Sequence, residues 1–138
     1  MALAVCFAKS AEPMPGSKNH LRASPQIVHD GLKYAATGGI GTFYNLIPRT
    51  FVGIHKAALR GDWVRARQLQ DTVNRLIRIT LAHPPLPAVK RMLAWSGIGA
   101  GECLKPRAGM SDEQWRQLRT ELLEAGFSAE GFARGGEE

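Results

Sequence analysis

No apolar run in this sequence approaches the roughly 18 to 20 residues that a membrane-crossing helix requires, so no transmembrane span is expected and no membrane partner is read from it. The stretch Met1–Ala8 has neither the basic start nor the length of a secretory leader, and a cytoplasmic location is the expectation. Cysteine is scarce. Cys6 and Cys103 stand in unrelated contexts with no second thiol or imidazole at ligand spacing, which excludes a disulfide framework and a zinc site and leaves two reduced, packed thiols. His20, His29, His55 and His83 are dispersed, with no HExxH pair, so neither a metal nor a cofactor is expected. There is no internal repeat and no low-complexity tract.

What is present fits a globular chain: 138 residues, 44% of them apolar and 22% charged. The balance of 18 Lys and Arg against 12 Asp and Glu leaves a net charge of +6. The positive residues are scattered, as on a solvated surface. Arg65, Arg67, Arg75 and Arg78 do not fall on one helical face beside Trp63, which argues against a nucleic-acid partner.

The pattern along the chain has two unlike parts. Residues 1–29 are irregular, with Pro13, Pro15, Gly16 and Pro25 between polar residues. From Asp30 the text becomes regular and predicts one strand followed by four helices. Gly38–Asn45 is the strand, its β-branched and aromatic residues following glycines that let a ligand or another backbone come close. Pro48 opens a helix that runs to about Arg60, with Phe51, Ile54 and Ala58 on one face, and Gly61 closes it. Asp62 caps a second helix, about Trp63 to Leu81, whose stripe is Ala66, Leu69, Val73, Leu76, Ile77 and Thr80. Pro84, Pro85 and Pro87 break it. A third helix spans Pro87 to Ser96 with Val89, Met92 and Leu93 on its inner face. The last starts on a capping box, Ser111 with Gln114, presents Trp115, Leu118 and Leu122, and stops at Gly126. Residues 128–138 read as a flexible tail.

The run Ala35-Ala36-Thr37-Gly38-Gly39-Ile40-Gly41-Thr42-Phe43-Tyr44-Asn45 is the most telling feature. With Gly61-Asp62, Lys90 ahead of Trp95-Ser96-Gly97-Ile98, Lys105-Pro106 and the capped last helix, it resembles the C-terminal part of the N-acetylneuraminate lyase and dihydrodipicolinate synthase family. The resemblance runs from about Asp30 to Phe127. It implies an α/β fold class, a C-terminal fragment of a (β/α)8 TIM barrel made of the eighth strand and the extra helices, predominantly helical by itself. Residues 30–127 would be that portion.

The resemblance also implies a Schiff-base, pyruvate-dependent aldolase. Ile40 would place its backbone beside bound pyruvate, Gly41 would allow the close approach, and Thr42 would stand where neuraminate lyases use a serine on the sugar-acid chain. The alternative for Thr42 is a buried hydroxyl bonded to a neighbouring strand. Tyr44 would be an eighth-strand packing residue. The reactive lysine and relay tyrosine are not identifiable, so no catalytic residue is assigned. Lys9 is a candidate remnant of that lysine, and His29-Asp30 echoes a seventh-strand Tyr-Asp pair. The small-molecule partner implied is pyruvate or a sugar acid, and a chain with so few strands is expected to self-associate or to pair with a complementary chain. The other reading is a non-enzymatic, basic helical module that binds a protein or nucleic acid.

Overall fold

The computed structural model describes residues 4–6, 26, 28–33 and 38–133. Among these residues, two short strands and six α-helices follow one another as β1 (Ala4–Cys6), α1 (Val28–Lys33), β2 (Gly38–Ile40), a 3-10 turn (Thr42–Asn45), α2 (Pro48–Leu59), α3 (Trp63–Leu81), α4 (Pro85–Trp95), α5 (Asp112–Glu124) and α6 (Ala129–Ala133). Two compact units are present, Met1–Asn74 and Arg75–Glu138, with the boundary inside α3. Among the described residues no helix is long and apolar enough to cross a membrane.

In the first unit β1 and β2 pair antiparallel, Val5 opposite Gly39. The strand expected over Gly38–Asn45 ends at Ile40, and the reason lies in the two aromatics. In a strand, Phe43 and Tyr44 would face opposite sides, whereas the 3-10 turn buries both. Gly41 is extended (φ 179°, ψ 162°). After it, the Tyr44 N–H donates to the Gly41 carbonyl at 3.3 Å, and the Asn45 side-chain amide donates to the Thr42 carbonyl at 3.0 Å.

Pro48 sits in the first turn of α2, where its missing N–H has no intrahelical partner to lose. The buried face is Phe51, Ile54 and Ala57, so Ala57 takes the place expected of Ala58. Gly61 adopts φ 72°, a left-handed conformation that ends the helix without strain. The Asp62 carboxylate then accepts from the Arg65 N–H at 2.9 Å and caps α3. Along α3 the buried residues of this unit are Ala66, Gln70 and Val73. Gln70 is satisfied on both sides: its Oε1 accepts from the His29 N–H at 3.0 Å, and its Nε2 donates to Asn74 Oδ1 at 3.1 Å. That polar tie anchors the start of α1.

In the second unit, Leu76, Ile77 and Thr80 of α3 and Ala88, Val89 and Met92 of α4 are buried. The Thr80 hydroxyl donates to the Leu76 carbonyl at 2.8 Å, within its own helix. Helix α4 begins at Pro85, two residues ahead of the expected start, because Pro85 and Pro87 both fit a first helical turn. The capping box of α5 is formed as the sequence predicts: Ser111 Oγ accepts from the Gln114 N–H at 3.2 Å, and Gln114 Oε1 accepts from the Ser111 N–H at 3.0 Å. Its buried face is Leu118 and Leu122.

The stretch read as a flexible tail contains α6, whose Phe132 is 1% exposed. Trp95 lies edge-on to Phe132 at 5.7 Å and to Trp115 at 5.8 Å, and Phe127 stacks on Phe132 at 6.1 Å. Aromatic packing thus orders a five-residue helix too short to persist by propensity alone. Residues 134–138 and most of the segment 1–29, Lys9 included, lie outside the described residues.

Candidate functional site

The C-terminal end of β2 is where Ile40, Gly41 and Thr42 follow one another. Ile40 enters through its backbone, opposite Ala4 of β1. Gly41 is half-buried and Thr42 exposed. The Thr42 carbonyl is held by the Asn45 side chain.

Beneath this strand end lies Tyr44, fully buried, its ring stacked on Phe51 of α2 with centroids 4.1 Å apart and planes inclined by 28°. The ring can reach that position because residue 39 has no side chain: the Tyr44 hydroxyl occupies the space a Cβ there would fill. This is the packing role expected of Tyr44. Burial pushes the phenol up to about 12, and among the described residues the hydroxyl has no hydrogen-bond partner.

His29 and Asp30 lie side by side at the start of α1. The His29 Nδ1 is 2.9 Å from Asp30 Oδ1, and the ring meets Trp63 edge-on at 5.8 Å. His29 is buried while Asp30 is exposed; the pair lies within α1, and it is His29, through its N–H on Gln70 and its ring on Trp63, that meets α3. In α2, burial lowers the His55 imidazole below its ordinary value.

The described lysines differ in environment. Lys56 and Lys105 are exposed. Lys90 donates to the Ala100 carbonyl at 2.9 Å and to the Glu102 carbonyl at 2.8 Å. Its ammonium is a clamp on the loop after α4, at the edge of a hollow of about 230 Å³ lined also by Arg91, Met110 and Cys103. Lys90 stands out in the sequence but this clamp does not, since the two carbonyls lie ten and twelve residues away and leave no local pattern. Among the described residues no three His, Cys, Asp or Glu side chains converge as a metal site would require.

A profile of the dihydrodipicolinate synthetase family matches residues 24–125. The chain belongs to that family. It is 33% identical over 96 residues to the 4-hydroxy-tetrahydrodipicolinate synthase of Methanosarcina acetivorans, covering 69% of this chain and 33% of the relative. To the N-acetylneuraminate lyase of Rhizobium meliloti it is 30% identical over 89 residues, covering 64% and 30%. The structure superposes on the N-acetylneuraminate lyase of Proteus mirabilis with a TM-score of 0.68 at 21% identity, covering 75% of this chain and 35% of that one. The neighbours are TIM-barrel enzymes, and the chain has a lyase-family relationship with them. It spans about a third of the length of the curated relatives it matches.

Proposed function

We propose that this chain is the C-terminal portion of a Schiff-base, pyruvate-dependent aldolase or lyase of the N-acetylneuraminate lyase or dihydrodipicolinate synthase kind, and that it is not catalytically competent by itself. The observation that carries this reading is the β2 end: a glycine strand that runs out into an exposed Thr42, inside the segment matched to the family.

Chemistry of this class needs a lysine amine to attack the keto carbon and expel water as an imine forms, a tyrosine to relay protons, and donors for the carboxylate. This chain contributes a wall of the pocket. The Ile40 backbone borders the keto acid, Gly41 lets it approach the main chain, and the Thr42 hydroxyl hydrogen-bonds the more distant chain of a sugar acid. Such a site belongs at the C-terminal end of a barrel strand. An imine-forming lysine works as a desolvated neutral amine, and neither exposed Lys56 and Lys105 nor carbonyl-bound Lys90 meets that condition.

The test is reduction with borohydride in the presence of pyruvate, followed by intact mass spectrometry of the chain alone. No mass increase is expected. A stoichiometric adduct on Lys9 would mean that the nucleophile resides in this chain and would overturn the proposed division of labour.

A further inference from the structure

In the second unit, Pro87, Lys90, Arg91 and Ala94 follow one another at helical spacing on α4 and border the hollow of about 230 Å³. The loop after the helix supplies more of its wall, together with buried Met110. Gly99 and Gly101 stand in that loop without filling the space, since a Cβ built at either would meet no atom within 4 Å. Gly101, at φ 63°, lies between the two residues whose carbonyls hold the Lys90 ammonium.

The charges around this hollow are unevenly matched. Lys90 is half-buried and its partners are two neutral carbonyls; among the described residues no carboxylate pairs with it. An ammonium has three N–H donors, so one is left over. The Arg91 Nη2 donates to the Met110 carbonyl at 3.1 Å and to Asp112 Oδ1 at 2.9 Å, which leaves the Nε and Nη1 donors of the guanidinium. Asp112, engaged by Arg91, is 84% exposed. Glu102 lines the hollow but is exposed as well, its Oε2 3.7 Å from where a Cβ at Gly109 would stand. Solvent screens both carboxylates, whereas the two cations border the hollow from partly buried positions, where charge-assisted hydrogen bonds are strong.

We infer that this hollow binds a small organic carboxylate. The carboxylate takes the remaining donors of Lys90 and Arg91, and an apolar body rests against Pro87, Ala94 and Met110. Size sets the first limit: the hollow is smaller than the roughly 300–1,000 Å³ of pockets that hold drug-sized ligands, so the occupant is small. Charge sets the second. Two cations and one carboxylate line the space, and the single positive charge left over matches a monoanion with a hydrocarbon body better than phosphate, which has no apolar surface to offer. The inference concerns the second unit alone and does not rest on the function read from the β2 end.

Cys103, a free thiol that lines the hollow, reports on its occupancy. The rate of its alkylation by iodoacetamide, followed on the Cys103 peptide by mass spectrometry, is measured on the full chain at constant ionic strength. The probes are isovalerate, its neutral isostere isovaleramide, and inorganic phosphate. Isovalerate is expected to bind with a Kd of about 1 mM and, at about ten times that concentration, to slow alkylation about tenfold. The amide and phosphate are expected to slow it by no more than about twofold, the first lacking the charge and the second the apolar body. Lys90→Met raises the Kd for isovalerate about tenfold. Because that variant also loses the loop clamp, Ala94→Leu provides an independent check: it adds bulk to the wall of the hollow at an exposed helical position. Its thermal midpoint should match the parent's while the protection by isovalerate disappears. The inference is overturned if isovalerate at about 20 mM leaves the alkylation rate unchanged, if the amide or phosphate protects equally well, or if Ala94→Leu is protected like the parent.

Discussion

The hydroxyl of Tyr44 sits where a side chain at position 39 would be, so Gly39 and Tyr44 share one space. A Cβ at residue 39 would also come within 2.8 Å of Tyr44 Cζ. Gly39→Ala therefore forces the ring off Phe51 or the strand away from the ring, and a loss of about 2 kcal/mol is expected. Tyr44→Phe will not rescue it, because the Cζ contact remains. Urea denaturation of the single and double variants checks both statements; a melt within experimental error of the parent would refute them.

His83 and Glu121 give the second unit a pH-dependent tie. The His83 Nε2 lies 2.9 Å from Glu121 Oε2. The hydrogen bond from His83 holds the Glu121 carboxyl below its ordinary 4.5, against partial burial, with further help from Gln117 and the His83 charge. A carboxyl depressed on folding stabilises the fold above its unfolded value, and that contribution disappears as the pH falls through the lower folded value. Thermal melts from pH 6 down to pH 2 should show a shallower acid limb for Glu121→Gln than for the parent. Superimposable limbs would show that the tie carries no linkage.

Lys90 is predicted to be structural. Lys90→Met removes two charge-assisted hydrogen bonds to the Ala100 and Glu102 carbonyls, and a cost of about 2 kcal/mol follows. Limited proteolysis should move to the loop between α4 and α5, and the thermal midpoint should fall. Unchanged cleavage would mean that the loop holds itself.

Ser111→Ala opens the capping box of α5 and is expected to lower stability by about 1 kcal/mol. Gln114→Ala, which leaves the Ser111 hydroxyl in place, should lose less. Chemical denaturation of the pair orders the two contributions, and an equal loss would contradict the assignment of the larger share to Ser111.

These elements also show what the sequence could disclose. The α5 cap was legible because Ser111 and Gln114 lie three residues apart and bond each other. The end of α2 was legible because Gly61 and Asp62 act within one turn. The extent of β2 was not, because residue composition marks Phe43 and Tyr44 as strand formers while their joint burial requires a turn. Helix α6 was hidden too, since it depends on Phe132 finding Trp95 nearly forty residues back along the chain. At the candidate site, Ile40, Gly41 and Thr42 were reachable through the family resemblance. The orphaned Tyr44 hydroxyl was not, for it arises only when Gly39 is folded against the ring.

The central claim is that this chain supplies the eighth-strand wall of a pyruvate aldolase site and needs the rest of a barrel to act. Lyase turnover of N-acetylneuraminate by the chain co-produced with the preceding portion of the Rhizobium meliloti enzyme tests it most directly. The account predicts turnover for the pair, none for either part alone, and about a tenfold fall with Thr42→Ala, whose exposed position leaves the fold intact. A pair that assembles without turnover, or a Thr42→Ala pair as active as the parent, would contradict it.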